Sequence, residues 1–187
     1  MPIEFDFLYL LQSLRSDLLD RIMVFFTNIG DRFTIWILIS LILVFFKKTR
    51  KCGLLMMVGM LIAAWLGEEV MKNLFKRVRP CNIDYSFLIP IRRPRDYSFP
   101  SGHSFHSFVS AVTIFLHFKK AGIAALLLAA VIAFSRLYLF VHFPTDVLGG
   151  MLLGTAVAVA VFYLHKLLAM LFGKLRCRLR NAKREDS

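Results

Sequence analysis

Three short runs in this sequence carry side chains suited to handling a phosphate group: Lys72 with Arg79-Pro80, then Pro100-Ser101-Gly102-His103, then Ser135-Arg136 with His142 and Asp146. In the third run His142 and Asp146 stand four apart, at what reads as the start of a helix. A carboxylate at that distance can accept a hydrogen bond from one imidazole nitrogen. The other nitrogen then presents its lone pair, which is what a histidine nucleophile needs. Arg136 adds a planar cation matched to phosphate oxygens. In the second run a Ser-Gly turn entering a helix leaves backbone N–H groups free at the positive end of the helix dipole, which favours an anion. His103 can carry and deliver a proton near neutral pH. In the first run a spacing of seven is close to two helical turns, so Lys72 and Arg79 share a face while the helix lasts, and Pro80 limits its continuation.

Each run alone has a plainer explanation: cations snorkelling at an interface, a helix cap, a satisfied His–Asp pair. Together they supply an oriented histidine, a second histidine, three separated cations and an anion-ready turn, which by role is a phosphoryl-transfer site. The sequence has no His-Glu-x-x-His pair, no P-loop and no carboxylate cluster suited to magnesium. Lys and Arg must then neutralise the phosphate, and neither a metal nor a cofactor is expected.

The elements that must hold these groups are membrane helices. Of the 187 residues 58% are hydrophobic and 14% aromatic, against roughly 45–50% apolar in soluble domains. That excludes a disordered chain and argues against an ordinary soluble domain. The net charge of +12 reports membrane orientation before it reports nucleic acid, which is not an expected partner. Cys52, Cys81 and Cys177 are too few for a disulfide framework and lack metal-ligand spacing. The fold class expected is all-α: a polytopic helix bundle of about five spans near 32–46, 53–74, 104–118, 121–141 and 146–171, plus N-terminal interfacial helices, in a single domain over 1–187. Phe33–Phe46 and Phe105–Phe118 are short apolar cores, since a crossing needs ~20 residues. Residues 1–31 are broken by Asp6, Arg15, Asp17, Asp20 and Arg21. With Leu11, Leu14, Leu18, Ile22 and Phe25 at helical spacing, they read as amphipathic helices lying in the outer interface. No signal-peptide cleavage pattern is evident.

Basic groups at 47–51, at Lys119-Lys120 and over the tail 174–187 fall on one side of this scheme, which should be cytoplasmic, with the N-terminus outside. All three phosphate-suited runs then fall at outer ends of spans. The long loop 75–103 lies on the same side and is itself basic, which calls for an anionic partner.

The order and spacing of the three runs resemble the type-2 phosphatidic acid phosphatase family, the lipid phosphate phosphatases. Its pattern of Lys-x6-Arg-Pro, Pro-Ser-Gly-His and Ser-Arg-x5-His-x3-Asp stands complete here over 72–146. The resemblance implies a metal-independent phosphatase with a helical membrane core. His142 would form a phosphohistidine, Asp146 would orient it, and His103 would be the general acid and then help to activate water. Lys72, Arg79, Ser101, Gly102, His103 and Arg136 would bind the phosphate. The family commonly has six spans, one more than the charge pattern gives here.

The substrate expected is a phosphomonoester or diphosphate lipid in the bilayer. Polyprenyl (undecaprenyl) diphosphate suits the cationic loop, with phosphatidylglycerol phosphate or phosphatidic acid as the alternative. An anion or lipid transporter is the competing class, but it needs neither a His–Asp pair nor a second histidine. The expected location is a bacterial inner membrane with the site on the extracytoplasmic side and the C-terminus in the cytoplasm. Oligomeric state is not readable. Among secondary residues, Glu68 is one turn from Lys72 and available as an i,i+4 pair. Arg92, Arg93 and Arg95 either select the head group or are exposed loop charges. His106 reads as a polar helix contact, His117 and His165 lie near the other face, and Gly150 with Gly154 marks close helix packing.

Overall fold

The computed structural model describes residues 2–185, with side chains described for 3–31, 33–174 and 176. The described residues form helices α1 (Pro2–Ser13), α2 (Asp17–Gly30), α3 (Thr34–Phe45), α4 (Arg50–Ala64), a π-helical stretch (Trp65–Met71), α5 (Lys72–Phe75), α6 (Pro80–Ile83), α7 (Gly102–His117), α8 (Lys119–Tyr138) and α9 (Pro144–Glu185). No strand occurs among them. The protein is an all-α membrane bundle. Leu61, Leu127 and Leu152 are 70%, 65% and 71% exposed, an apolar surface suited to lipid rather than water.

The centre of the bundle is α7, packed on α4, α8 and α9. Every residue from Ser104 to Ile114 is buried, as for a helix enclosed on all sides. Two of its polar side chains bond within the bundle: Trp36 Nε1 donates to Ser107 Oγ at 2.9 Å, and Thr113 Oγ1 donates to Val109 O at 2.7 Å. Small residues let the backbones approach. A Cβ on Gly150 would lie 2.7 Å from Ser101 O, and one on Gly154 would lie 2.5 Å from Phe105 O. The Gly-x3-Gly spacing thus seats α9 directly on α7.

The expected spans are present as helices, two of them atypical. Arg50–Ile83, Lys119–Tyr138 and Pro144–Lys174 are each long and apolar enough to cross a membrane; α2 and α3 qualify only together, bent by 49°. With 16 residues, α7 is about 24 Å long at ~1.5 Å per residue, short of a ~30 Å hydrocarbon core. Its middle, Ser104–Ile114, is enclosed by its neighbours rather than by lipid. The backbone of α9 stays helical to Glu185. The lipid-facing role expected for the basic tail rests on side chains that, apart from Lys174 and Arg176, lie outside the described residues.

The N-terminal helices are tied to the bundle. Gln12 Nε2 donates to Tyr138 O at 2.9 Å, and Tyr138 Oη donates to Asp20 Oδ1 at 2.8 Å. Thr27 and Gly30 of α2 are buried, and Gly30 lies against Ile132 and His103. Helices α1 and α2 therefore wall one end of the bundle, and α2 ends at Gly30, just before α3, with a bend of 49° between the two.

Candidate active site

At that end, helix termini converge. The helix carrying Lys72 passes through the π-helical stretch, a form often found at functional sites. It stops at Lys76, which is left-handed at φ 45°. The expectation that Lys72 and Arg79 share a helical face is therefore corrected: Arg79 arrives on an extended segment, and Pro80 opens α6 behind it. The non-glycine residues with positive φ are Phe33, Lys76 and Phe140. Each sits in a turn that delivers a site residue, and a bulky residue there is strained.

Lys72, Arg79, Gly102, His103, Arg136 and His142 line one cavity of about 270 Å³, together with Asp31, Glu68 and Asp96. Gly102 and His103 begin α7, so the positive end of that helix meets the cavity. Lys72, Arg79 and Arg136 are 5%, 4% and 5% exposed. Three cations so enclosed require anions. Lys72 Nζ donates to Glu68 at 2.6–2.7 Å, the i,i+4 pair seen in the sequence, and also to Asp96 Oδ2. Arg79 Nη2 grips the same carboxylate at 2.9 and 3.0 Å, and its Nε donates to Asp96 O at 3.0 Å. Half-burial pushes the Asp96 carboxyl up, but the Arg79 charge and the Lys72 hydrogen bond outweigh it and hold the group at about 2. Arg136 Nη1 donates to Thr27 Oγ1, while its buried Nε has no partner among the described residues.

His142 is 1% exposed, and its Nε2 lies 2.7 Å from Arg79 Nη1, which also donates to Val141 O. A guanidinium only donates, so hydrogen-bond logic assigns Nε2 the lone pair and Nδ1 the proton. Burial, then the charges of Arg79 and Arg136, push the His142 imidazole well below its ordinary value. It is a neutral base with its lone pair toward the cations. His103 Nε2 lies 3.4 Å from Asp31 Oδ1, within ion-pair reach but not aligned as a hydrogen bond.

Two expected placements differ. Asp146 is fully buried beside His142, but its Oδ2 is 3.6 Å from Nδ1, too far for a hydrogen bond. That oxygen instead accepts from Ser98 Oγ at 2.5 Å and from Phe143 N at 2.8 Å. The second is the reach-back bond of a capping box, available because Asp146 is the third residue of α9. Ser98 Oγ stands 3.4 Å from Nδ1, between the two. The other oxygen of Asp146 accepts from Arg77 Nη1 at 2.7 Å. The Ser101 side chain is not on the cavity wall. Its Oγ caps α7 by accepting from Ser104 N and Oγ at 3.4 and 3.0 Å.

Residues 53–169 match the family model of the PAP2 superfamily. This chain belongs to that superfamily. An undecaprenyl-diphosphatase of Sulfolobus acidocaldarius is 36% identical to this PAP2 chain over 121 residues, 64% of this chain and 58% of that relative. The match thus spans less than two thirds of the relative's length. A PAP2-type phosphatidylglycerolphosphate phosphatase from Bacillus subtilis superposes with a TM-score of 0.73 at 29% identity, covering 88% of this chain and 85% of the other. LpxE from Aquifex aeolicus superposes with a TM-score of 0.76 at 23% identity over 86% and 95% of the two chains, a likeness of fold.

Asp96 and Asp31 escaped the sequence reading, which also gave Ser98 and Arg77 no role of their own. Ionisable residues in so apolar a chain are suspects by type, but only the folded 84–101 loop shows that Asp96 meets the cations. Arg77 reads as a loop charge until Asp146 and Glu4, the latter at 2.5 Å, are seen to hold it. His106 stacks on Phe33 with ring centroids 3.3 Å apart and is absent from the cavity wall. His117 Nδ1 meets Thr113 O at 2.9 Å, at the far end of α7. Among the described residues, no three His, Cys, Asp or Glu side chains gather as a metal site.

Proposed function

We propose that this PAP2 chain is a lipid phosphate phosphatase that works through a phosphohistidine on His142. The observation that carries the reading is His142 Nε2, 2.7 Å from the Arg79 guanidinium, in one cavity with Lys72, Arg79, Arg136 and His103. An entering phosphate displaces Asp96 and draws Arg79 from Nε2 onto its own oxygens. The Nε2 lone pair attacks phosphorus, and the bond to the leaving oxygen breaks. His103 gives that oxygen a proton. Ser98 and Asp146 keep the Nδ1 proton in place as His142 gains positive charge. Water, deprotonated by His103, then cleaves the N–P bond and frees inorganic phosphate. Lys72, Arg79, Arg136 and the start of α7 stabilise charge on the transferring group, which is most of what phosphoryl transfer asks of a protein. Ser101 acts as the cap that holds Gly102 and His103 at the cavity.

Polyprenyl diphosphate is the leading substrate, supported by the undecaprenyl-diphosphatase relative and the cationic 84–101 loop. Phosphatidylglycerol phosphate is the second reading, supported by the Bacillus subtilis neighbour, and phosphatidic acid shares its monoester chemistry. The site faces the extracytoplasmic side of a bacterial inner membrane and the C-terminus the cytoplasm, by the distribution of Lys and Arg. The test is phosphate release from these lipids by purified protein. His142→Ala and His103→Ala should each nearly abolish it, and phosphate should be trapped on His142. Wild-type release by His142→Ala would defeat the assignment. Activity lost in EDTA and restored by magnesium would defeat the metal-free mechanism. No release from any lipid would favour a transporter.

A further inference from the structure

Beside the His142 cavity lies a larger chamber of about 560 Å³ that shares Asp31, Pro94 and Arg136 with it. Its other walls include Thr27 and Asn28 of α2 and Arg92, Arg93 and Arg95 of the loop. The three loop arginines are not alike. Arg93 is committed to the fold: it donates to Cys81 O, donates to Phe87 O at 3.1 Å and stacks over Tyr85 at 4.7 Å. Arg92 and Arg95 are exposed, and neither has a hydrogen bond or ion pair with any described residue. Arg136, between the two spaces, has one hydrogen bond and a buried Nε left over. Guanidinium groups thus outnumber the single lining carboxylate, Asp31. A chamber so charged is matched to a second anion lying directly next to the first.

We propose that this chamber holds the second phosphate of a diphosphate lipid, gripped by Arg92, Arg95 and Arg136, while the terminal phosphate sits against His142. The inference rests on the phosphatase reading and narrows its substrate class to diphosphates. In the transfer step the His142 Nε2–P bond forms at the terminal phosphorus and the bridging P–O bond breaks. The bridging oxygen keeps the electron pair and leaves on the lipid monophosphate. Until the His103 proton reaches that oxygen, negative charge grows on the phosphate held in the chamber, where the arginines face it, so they act on turnover as well as on binding. A monophosphate substrate leaves the chamber without an anion and gains nothing from Arg92 or Arg95.

The experiment compares farnesyl diphosphate with farnesyl monophosphate, which share one tail, on full-length purified protein and on Arg92→Gln/Arg95→Gln. Both side chains are exposed and unpaired, so the variant should fold. We expect kcat/KM for the diphosphate to fall at least about tenfold, the scale of one or two lost charge-assisted contacts, with the monophosphate changed less than about twofold. Inorganic pyrophosphate should inhibit the wild type more tightly than phosphate, and the double substitution should erase that gap. Equal losses on both substrates, or none on either, would overturn the proposal. So would a loss seen only in micelles doped with phosphatidylglycerol, because the arginines would then be reading bilayer head groups. His142→Ala separates the two failures. If it abolishes both activities while the double variant leaves their ratio unchanged, the subsite is wrong and the phosphatase reading stands.

Discussion

Asp96 occupies the cations that a phosphate would need, and replacing it should make phosphate bind more tightly. Its carboxylate bridges Lys72 Nζ and Arg79 Nη2, so every phosphate must compete with it. The carboxyl lies at about 2 where an ordinary one lies at 3.8. At ~1.4 kcal/mol per pH unit this is about 2.5 kcal/mol in favour of the charged form. The side chain is 46% exposed, and solvent screening removes at least half of that, leaving about 1 kcal/mol. Asp96→Asn should therefore lower the inhibition constant of inorganic phosphate about fivefold, whereas Asp96→Glu, which keeps the charge, should move it much less. The sign with pH follows from the depressed value. The pairing is at full strength above the ordinary carboxyl range and is lost only as pH falls toward 2, so the fivefold gain should be flat from pH 5 to 8. The assay is phosphate inhibition of lipid turnover, checked by the rise in Tm that phosphate produces in each variant. An unchanged or raised inhibition constant in Asp96→Asn would refute the competition. It would mean that Asp96 positions Lys72 and Arg79 rather than covering them.

The surroundings of His142, the proposed nucleophile, and the helix packing make further predictions. Because burial and neighbouring cations hold His142 below 6.5, it stays neutral as pH falls to that point, and the acid limb of kcat/KM should lie below 6.5; a limb at or above that value would contradict the assignment. Ser98→Ala removes the 2.5 Å donor to the buried Asp146 and should lower kcat about 10- to 100-fold and Tm by several degrees. Arg77 touches Asp146 and Glu4 but does not line the cavity; Arg77→Lys should lower kcat about tenfold and leave KM within about twofold. Gly154→Ala drives a Cβ to 2.5 Å from Phe105 O and should cost about 1–3 kcal/mol by denaturant titration. Gly173→Ala, with nothing within 4 Å, should stay within ~0.5 kcal/mol.

The signature residues were legible because their types are out of place. A chain that is 58% hydrophobic keeps histidines and arginines at span ends only where something requires them. Spacing also showed which residues share a local element: Glu68 with Lys72, His142 with Asp146, and Gly150 with Gly154 all lie near one another. Spacing failed where the backbone leaves the helix it assumes. The Lys72–Arg79 interval contains the end of the helix and a left-handed residue, so periodicity could not place Arg79. The Asp146 carboxylate is drawn toward Phe143 N by its position in the first turn of α9, a competition that a four-residue spacing does not display.

The 84–101 loop was opaque for a different reason. It has no period, and its side chains acquire meaning only from what the bundle brings beneath them. Ser98 is placed between His142 and Asp146, and Asp96 over Lys72 and Arg79, by a segment whose backbone is held by a few bonds, such as that from Ser98 N to Arg77 O at 2.7 Å. The helices that carry Lys72, His103 and Arg136, and the turn between α8 and α9 that carries His142, meet around the cavity as part of the packed bundle. In the loop, Arg92 and Arg95 are under no such constraint, being exposed and without partners among the described residues. One frame can thus keep a fixed phosphate cradle while the loop above it changes what is attached to the phosphate, and that is where differences in substrate between PAP2 proteins of one fold should be sought.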